Sequence, residues 1–563
     1  NMYGAGIENF GRDGCPEQFP VPDPAADQML VRVDSVGMCF SDVKLIKQGG
    51  SHPKLYNRDL VEDPTRLGHE ATVTIIKVGE ELADQYYPGQ RVAVQPDLYQ
   101  DGMSTAYGYT VPGGLIQYHL IGPEVLETDA GAGLLPLEGD MGYAEASLLE
   151  PWGCVVGAYR QRRRLDPKVG GVMWIIGQRG DEVEYSFSAG LDAPATIALT
   201  DVPQSVQNLA SQTSANVVMH HGTSGDDTLS ELTIAALVDE LTDGRGFDDI
   251  VVLDPRSAEV VGDIARYVAR RGTLNMVGKE PLDALVDADV GRLHYDYIAF
   301  VGNQGPDIAA SYGEARNRCD LQPRGAAVFI GAGGPMGQMH VQRAIEQPNG
   351  PTLVIATEVD EVRLQAVQER FAPLADEQGV ELLVYNPVTA DESLYDFVMQ
   401  ATDNVGADDV VVSVPIASVM AEAATLMNPD GMLVFFAGVP NGTLAPLNFS
   451  PVYLNNAQFT GTSGLTTEDQ AQVMHSALDG LLSPARLVAA IGGMNAARDA
   501  MEAVMEGRYP GKIVIFPQIP DLPLMGVDEL SEKYPEIAAK LGEGNLWTEE
   551  AEEALIEAYW PQP

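Results

Sequence analysis

The stretch AAVFIGAGGPMGQMHVQRAIEQ, residues 326–347, decides the fold of the second half of the chain. An apolar run typical of a buried strand leads into a glycine-rich turn, and the turn opens a helix-like segment. Glycines let the turn tighten and approach a pyrophosphate, while the N–H groups and dipole of the following helix attract phosphates. The pattern predicts a dinucleotide-binding loop with cofactor contacts from Gly331, Gly333, Gly334, Pro335, Met336 and Gly337.

A carboxylate follows the next strand. TLVIAT at residues 352–357 is typical of a buried strand, and Glu358 comes directly after it. A carboxylate in this place accepts hydrogen bonds from the adenosine ribose and repels a 2′-phosphate. We therefore expect NAD as the cofactor, with NADP disfavoured. The alternative is a structural strand–turn–helix connection with a solvated Glu358, but strand, loop, helix and acid together favour nucleotide binding.

An internal repeat surrounds this loop. Two pairs of segments match at a spacing of about 160 residues: GFDDIVVLDP (246–255) with GADDVVVSVP (406–415), and LNMVGKEP (274–281) with LVFFAGVP (433–440). Apolar strands alternate with helical stretches throughout this region, which is the pattern of a parallel α/β sheet. We infer two tandem Rossmann-like, doubly wound units over residues 166–323 and 324–465.

The first of these units has a degenerate loop. Its corresponding turn is GQRGDE at residues 177–182, so Asp181 and Glu182 lie where a pyrophosphate would bind, and they oppose an anion. Asp201 still matches the position of Glu358. We expect this unit to bind no dinucleotide and to serve as a scaffold.

A tandem copy can also protect exposed sheet edges. Nucleotide domains of this type in two subunits often join edge to edge. We expect the strand before Gly302 to pair in the same way with the strand before Gly461, within one chain.

The first part of the chain has a different pattern of apolar residues and turns. Alternating, β-branched runs separated by Gly/Pro turns predict short strands of a small β-barrel over residues 1–165: MLVRVDSVGMCF (29–40), ATVTIIKVG (71–79) and RVAVQ (91–95). Residues 466–519 are expected to return to this domain. The tail at 520–563 is acidic and helical in pattern, and we assign it to packing or to an interface.

The charge restricts the possible partners. The 563 residues carry a formal net charge of −47, which disfavours binding to nucleic acid. An acidic protein of ordinary kind and adaptation to a salty cytoplasm both fit this charge. Four scattered cysteines without a CxxC pair favour a reducing cytoplasm, and no apolar run approaches a membrane span, so we expect no membrane association.

Three short clusters in the first 156 residues carry a family resemblance: GMCFSDVK (37–44), LGHEATV (67–73) and LLEPWGCVV (148–156). They resemble the catalytic zinc segments of the zinc-containing medium-chain alcohol/polyol dehydrogenase (MDR) family. In the second half, GAGGPMG (331–337), PLNF (446–449) and GMNAA (493–497) are most similar to its sorbose-1-phosphate reductase-like branch. The resemblance implies a GroES-like catalytic barrel at the N-terminus.

The resemblance also implies a metal site. Carried over to this chain, Cys39 and His69 are zinc ligands, and Glu70 is a ligand or a near partner with a catalytic role. Glu150 takes the remaining protein position, directly or through water. Sulfur, imidazole and carboxylate suit a catalytic zinc with one open position. Residues 95–115 contain no cysteine, so the structural zinc of many relatives is absent and one zinc per chain is expected.

The implied reaction is hydride transfer between NAD(H) and a small alcohol or carbonyl compound such as a polyol, sugar or sugar phosphate. Ser41 is the expected first proton acceptor, since it lies two residues beyond a ligand. Lys44 stands where many relatives place the histidine that ends the proton relay. The family also leaves a homo-oligomer open.

Two other functions stay open at this point. One is a zinc-free NADPH quinone or enone reductase of the same superfamily, and the other is a non-catalytic nucleotide-sensing subunit. The ligand set argues against both. His52, Lys54 and Arg58 form a polar stretch that could meet a substrate phosphate, but a solvated loop is the favoured interpretation.

Overall fold

A computed structural model describes residues 1–160, 163–220, 231–461 and 463–560, with residues 231–233 described by their backbone alone. The chain forms two compact units. The first comprises Asn1–Gly157, Gly333–Pro348 and Gly464–Pro563, and the second comprises Ala158–Ala332 and Asn349–Ser463. This division is coarser than the five segments expected from the sequence, so the boundaries of those segments stay a prediction.

The strands and α-helices are numbered in chain order. Up to residue 157 they are β1 (Met29–Gly37), α1 (Phe40–Gln48), β2 (Glu70–Val78), β3 (Arg91–Val94), β4 (Tyr99–Gln100), β5 (Met103–Ser104), β6 (Tyr118–Ile121), α2 (Pro123–Leu126), β7 (Leu134–Pro136), α3 (Tyr143–Ser147) and α4 (Leu149–Gly157). Residues 158–332 contain β8 (Val172–Ile176), β9 (Thr196–Thr200), α5 (Gln204–Ser211), β10 (Asn216–His220), α6 (Glu231–Thr242), β11 (Phe247–Leu253), α7 (Ala258–Ala265), β12 (Val268–Val277), β13 (Val286–Asp289), α8 (Val290–Tyr295), β14 (Ala299–Asn303) and β15 (Ala326–Ile330).

The second half continues in the same order. Residues 333–463 contain α9 (Pro335–Glu346), β16 (Leu353–Thr357), α10 (Glu361–Gln378), β17 (Glu381–Tyr385), α11 (Leu394–Ala401), β18 (Ala407–Val412), α12 (Ala417–Ala424), β19 (Met427–Phe435), β20 (Leu444–Leu447), α13 (Ser450–Leu454) and β21 (Gln458–Thr460). The remaining elements are α14 (Thr467–Leu478), β22 (Val488–Gly493), α15 (Ala497–Glu506), β23 (Lys512–Phe516), β24 (Met525–Gly526), α16 (Leu530–Lys533), α17 (Pro535–Ala538) and α18 (Glu549–Tyr559). Across the described ranges, none of these helices has the length and apolarity needed to cross a bilayer.

The first unit is built on one curved sheet. Its strand order is β24-β22-β23-β1-β2-β3-β7, and β6 also pairs with β1. β1 is the centre of this sheet because it pairs with β2, β6 and β23 along different parts of its length. Its alternating apolar side chains, Val31 and Val33 among them, are fully buried in the core. The chain returns to this sheet near its end, through β22 and β23.

The acidic tail packs within the first unit. Glu552 in α18 is buried, and its carboxylate accepts hydrogen bonds from the first two N–H groups of α3, those of Tyr143 and Ala144 (2.9 Å for Ala144). The Trp547 indole also donates to Glu552, at 3.3 Å. Trp560 stacks on Tyr143 with ring centroids 5.7 Å apart. Of the two roles considered for the tail, packing is therefore observed.

The second unit contains two parallel sheets with the same topology. Their strand orders are β10-β9-β8-β11-β12-β14 and β17-β16-β15-β18-β19-β21. In each sheet the order reverses after the first strand of the copy, which is the doubly wound arrangement. The predicted α/β class with two tandem Rossmann-like sheets is confirmed.

The repeated aspartates have the same structural role in both sheets. Asp249 is buried at the start of β11 and pairs with Arg164 at 3.1 Å, while Asp409 is buried at the start of β18 and pairs with Arg318 at 2.6 Å. Each arginine precedes the first strand of its own copy. We call these two ion pairs the entry clasps, because each fixes the entry of the chain into its sheet.

The two copies are joined differently from the sequence-based expectation. β14 and β21 end their sheets, but within the described ranges no ladder pairs them, so the expected edge-to-edge pairing is wrong. Instead, β13 and β20 form an antiparallel ribbon from Val286↔Leu447 to Asp289↔Leu444. Tyr453 of α13 lies against Gly302 of β14, where a Cβ would come within 2.4 Å of the tyrosine.

The first copy has lost more than its phosphate loop. Residues 177–195, all of them described, contain no helix between β8 and β9, whereas α9 follows β15 in the second copy. Arg179 of the degenerate turn pairs with Asp201 at 3.2 Å. The degenerate character inferred from two acidic residues therefore extends to a whole missing helix.

We predict that Glu552→Ala loosens the docking of the tail. The substitution leaves two N–H groups at the start of α3 without an acceptor, which costs about 1–2 kcal/mol. Hydrogen exchange of the α3 amides should speed up, and the melting temperature should fall. Glu553→Ala is the matched control, because Glu553 is the exposed neighbour in the same helix. Equal exchange rates in the two variants would contradict the capping role.

Candidate functional site

The pairing of β1 with β2 brings the predicted metal ligands together. Gly37, the last residue of β1, is opposite Glu70, the first residue of β2. Cys39 lies two residues beyond Gly37, and His69 immediately precedes Glu70, so both are at the same end of the antiparallel pair. Cys39 also caps α1 by accepting from the Ser41 N–H at 3.5 Å, which fixes the thiol at the start of the helix.

Cys39, His69 and Glu70 each offer a ligand atom within 4.8 Å of the others. His69 and Glu70 are buried and Cys39 is half-buried. Thiolate, imidazole and carboxylate are all donors that zinc accepts, and three protein ligands leave a position open for chemistry. The residues present therefore fit a catalytic zinc ion.

Asp42 orients the imidazole of this cluster. Its Oδ1 lies 3.2 Å from Nδ1 of His69 and also accepts from the Gly68 N–H at 3.3 Å. Although burial lowers the pKa of His69, the adjacent Asp42 and Cys39 raise it well above its usual range. With Nδ1 bonded to a carboxylate, Nε2 is the nitrogen left to bind a metal, as in many histidine metal sites.

Glu70 is held by a buried ion pair. Its Oε1 lies 2.5 Å from the Lys512 ammonium, and both side chains are inaccessible to solvent or nearly so. Its Oε2 is buried and has no hydrogen-bond partner in the described part of the chain. Gly37 makes room for this oxygen, since a Cβ at that position would lie 2.0 Å from Oε2. A buried carboxylate oxygen without a donor is suited to binding a cation.

Glu150 lies near the cluster, but its carboxylate is not among the three ligand groups whose atoms lie within 4.8 Å of one another. It is buried in the first turn of α4, with the Cys154 thiol 3.9 Å from its Oε1. Burial and repulsion from Glu70 raise the pKa of Glu150 to about 8, against the opposing effects of His69 and Lys512. Its assignment as the fourth protein ligand, directly or through water, stays a prediction.

The residues of the expected proton relay are less closely arranged. Ser41 is half-buried in the first turn of α1, beside Cys39, whereas Lys44 is exposed one turn later. His52 lies closer to the centre, with its ring 5.2 Å from that of Tyr109, which in turn is 5.9 Å from the ring of His69. Burial and the charges of Lys54 and Lys44 lower the pKa of His52 to about 4.

The other basic residues of this loop have internal partners. Lys54 pairs with Asp97 at 3.0 Å, and Asp97 also accepts from the Leu465 N–H at 3.2 Å. Arg58 pairs with Asp63 at 2.6 Å and donates to the Thr110 carbonyl at 3.0 Å. Both cations are partly buried and hold loops through these pairs, so this stretch differs from the solvated loop favoured by the sequence.

The glycine-rich loop has the local structure expected of a phosphate site. Gly331 follows β15 with φ +79°, and its N–H donates to the Thr357 carbonyl at 3.0 Å. Gly334 is the N-cap of α9 and provides no side-chain cap, and a Cβ at this position would meet nothing within 4 Å. The first N–H groups of a twelve-residue helix are therefore left for an anion.

Glu358 directly follows β16 and is buried. Its Oε1 accepts from the Val359 and Asp360 N–H groups at 2.9 and 3.2 Å. These bonds fix the carboxylate at the end of the strand whose last residue, Thr357, binds the loop backbone at Gly331 and Ala332.

Comparison with known proteins assigns the family. A family model described as the alcohol dehydrogenase GroES-like domain matches residues 25–127. An NAD-dependent alcohol dehydrogenase from Sulfurisphaera tokodaii is 30% identical over 317 residues, covering 51% of this chain and 82% of that protein. The chain belongs to the alcohol dehydrogenase family. The resemblance inferred from the three N-terminal clusters is thereby confirmed.

Two further relatives match this alcohol dehydrogenase-family chain over nearly its whole length. Mannitol-1-phosphate 5-dehydrogenase from Aliivibrio fischeri is 25% identical over 553 residues, covering 96% of this chain and 94% of that protein. L-sorbose 1-phosphate reductase from Klebsiella pneumoniae is 23% identical over 555 residues, covering 97% and 95%. The protein is therefore an oxidoreductase of the alcohol and polyol dehydrogenase type.

Sequence reasoning missed two residues of this dehydrogenase site. Asp42 lies in the GMCFSDVK cluster, three residues after Cys39. A carboxylate so close to a predicted ligand could have been predicted to contact the metal ligands. Lys512 begins the apolar run KIVIF, and a lone lysine before such a run is an ordinary strand start. Its role follows only from the pairing of Gly37 with Val514, which places Lys512 across from Cys39.

We predict that Gly37→Ala weakens metal binding at this site. The new methyl group has to displace the Glu70 carboxylate, and removing support of this kind lowers metal affinity by about 10–100-fold. Competition with a chelator would measure the zinc affinity. Gly262→Ala is the control, because a Cβ there meets its nearest neighbour at 3.5 Å. Unchanged zinc affinity in Gly37→Ala would show that Glu70 does not help to hold the metal.

Proposed function

We propose that this protein is a zinc-dependent, NAD-preferring dehydrogenase that interconverts an alcohol and a carbonyl on a polyol, a sugar or a sugar phosphate. The observation that carries the proposal is the group of Cys39, His69 and Glu70, whose ligand atoms lie within 4.8 Å. The names of the two full-length relatives support the substrate class. Neither Lys54 nor Arg58 supports phosphate recognition, since both are paired within the chain.

The chain's own residues would hold the metal in a fixed arrangement. Cys39 and His69 supply sulfur and nitrogen, and Asp42 keeps the His69 ring in one orientation through Nδ1. Lys512 offsets the charge of Glu70, so that a thiolate and a carboxylate can lie together in a buried site. A zinc ion held there supplies Lewis acidity, which favours the deprotonated form of the alcohol.

Ser41 is the proposed proton acceptor at the substrate oxygen. Ser41 is half-buried two residues after the helix cap made by Cys39, and a hydroxyl passes on a proton as it accepts one. Lys44 is the proposed distal end of the relay, and its exposure is consistent with release of the proton to water. His52 is an alternative distal group, because it is half-buried and carries no charge near neutral pH.

The nucleotide would bind at the loop between β15 and α9. Gly331 and Gly334 are partly exposed and Gly333 is buried in this loop, Pro335 and Met336 begin the helix, and Gly337 is buried within it. Glu358 would accept hydrogen bonds from the adenosine ribose. Bound NAD supplies the hydride acceptor, and the protein supplies its orientation.

A zinc-free quinone or enone reductase is the weaker alternative. Such an enzyme has no use for a buried thiol, imidazole and carboxylate brought together at the end of two strands. Burial of these polar groups without a cation costs free energy, which zinc binding offsets.

Replacement of Cys39 by alanine tests the metal proposal. We expect about one zinc per chain in the wild type and less than about a tenth of that in Cys39→Ala, with turnover lost and the fold retained. Metal analysis and circular dichroism would measure this. Cys319→Ala is the control, because Cys319 is exposed and lies in the other unit. Full zinc occupancy in Cys39→Ala would remove the proposed site.

The cofactor preference is tested by steady-state kinetics with both nucleotides. We expect kcat/KM to favour NAD over NADP by at least about tenfold, because the Glu358 carboxylate repels a 2′-phosphate. Glu358→Gln should reduce this preference, and Glu361→Gln is the control on the following helix. A wild-type preference for NADPH would show that Glu358 does not face the ribose.

Calorimetric titration with NADH tests the role of the duplicated sheet. We expect one site per chain, because the first copy has neither a phosphate loop nor the following helix. Two sites of comparable affinity would overturn this expectation.

A further inference from the structure

A cavity of about 950 Å³ lies in the first unit, apart from the metal centre. Its walls come from the N-terminal segment between Phe10 and Pro22, the stretch between Tyr107 and Val125, and residues near Arg498. None of the four proposed zinc ligands lines it. We call it the arginine cavity, because Arg66 also lines it. Its volume is within the range of small-molecule sites.

Arg66 is a partly buried cation that lacks a counter-charge. Its Nε donates to the Gly113 carbonyl at 2.7 Å. In the described part of the chain, no carboxylate lies within ion-pair distance of its guanidinium, although the whole protein has 81 acidic residues. Burial lowers its pKa. The two terminal nitrogens of a planar guanidinium are suited to a bidentate anion.

Other ionisable groups also line the cavity: Glu124 accepts from the Gly122 N–H at 3.1 Å, and Asp521 accepts from Asn495 at 2.9 Å. Glu17 accepts from Tyr3 and Arg12, and Arg498 pairs with Glu502 at 3.2 Å. His119 lies 2.9 Å from the Tyr107 hydroxyl, and burial together with the charge of Arg66 lowers its pKa to about 3, so it is neutral. Arg66 therefore provides the positive charge that is available to a ligand.

Part of the remaining wall is apolar. Phe10, Val111, Leu115 and Val125 are buried side chains that line the same space. A cation without a carboxylate partner beside an apolar part of the wall matches a ligand with a charged head and an apolar body, since the body gains from burial while the head meets the guanidinium.

We propose that the arginine cavity binds a small amphipathic organic anion, with its carboxylate, sulfonate or phosphate head group on Arg66 and its body against the apolar wall. This site is separate from the proposed catalytic centre. It would serve as a secondary ligand site, and binding there does not require zinc or NAD.

Cys15 provides a local reporter of occupancy, because it also lines the cavity. Its thiol is exposed and can be alkylated by iodoacetamide, in which the sulfur displaces iodide. Cys319 is exposed in the other unit and serves as the internal control. Peptide mass spectrometry would follow both rates in the full-length protein. The probes are benzenesulfonate and its uncharged isostere, methyl phenyl sulfone.

We expect benzenesulfonate at about four times its Kd to slow alkylation of Cys15 about fivefold, as follows from about 80% occupancy. The sulfone should change this rate by less than about twofold at the same concentration, because it cannot pair with Arg66. The rate at Cys319 should not change with either probe. Equal protection by both probes, or none by benzenesulfonate, overturns the proposal without any variant being needed.

Two arginine variants localise the effect. Arg66→Gln should abolish the protection of Cys15, whereas Arg508→Gln should retain it, since Arg508 is paired on the surface of the same unit with Asp499 and Glu506. An unchanged circular dichroism spectrum and Cys319 rate would show that Arg66→Gln is folded. Protection that persists in folded Arg66→Gln overturns the assignment of Arg66.

Discussion

The antiparallel pairing of Gly37 with Glu70 fixes the position of the chemistry in the first unit. It places Cys39 and His69 at one end of β1 and β2, and the pairing of β1 with β23 adds Lys512 from a segment more than 400 residues away in the sequence. A buried carboxylate and thiolate repel each other, and burial of two such groups is costly without a cation. Lys512 supplies one positive charge through Glu70 Oε1, and the unpartnered Oε2 points to a second cation. Gly37 is needed here because any side chain would occupy the space of that oxygen.

Local sequence patterns predicted those features of the fold that are formed by residues close together in the sequence. The glycine loop forms the expected strand, turn and helix, and the repeated segments form two sheets of the same topology, whereas the ligand roles assigned to the three N-terminal clusters stay predictions. Lys512 could not be predicted in the same way, because its role depends on a long-range strand register. The expected pairing of β14 with β21 was wrong for a similar reason: the copies are joined by the ribbon of β13 and β20, and the periodicity of a sequence contains no information about which distant strands pair.

The two parallel sheets show which features a nucleotide-binding fold can lose without losing its architecture. Both copies retain a buried aspartate–arginine entry clasp, Asp249 with Arg164 and Asp409 with Arg318. Only the second copy has a helix after its first strand. The matching GFDD and GADD segments therefore reflect a structural need, since a buried carboxylate left without its arginine would be costly in either sheet. The phosphate loop carries no such structural constraint, so a copy that binds no nucleotide can lose both the loop and its helix.

Some basic residues of this chain are paired with carboxylates and fix the fold, whereas Arg66 has no carboxylate partner in the described part of the chain and could bind an anion. In a chain with 81 acidic and 34 basic residues, several of the cations that are withdrawn from solvent pair with a carboxylate, although the buried Arg163 bonds to backbone carbonyl groups instead. Lys512, Arg164 and Arg318 each form such a pair, and each fixes a strand or the entry to a sheet. Arg66 differs, because it has a backbone carbonyl as its only acceptor in the described part of the chain and opens onto a cavity. Leaving Arg66 without a carboxylate partner is unfavourable for the empty protein, and an anion bound at the guanidinium would offset that cost.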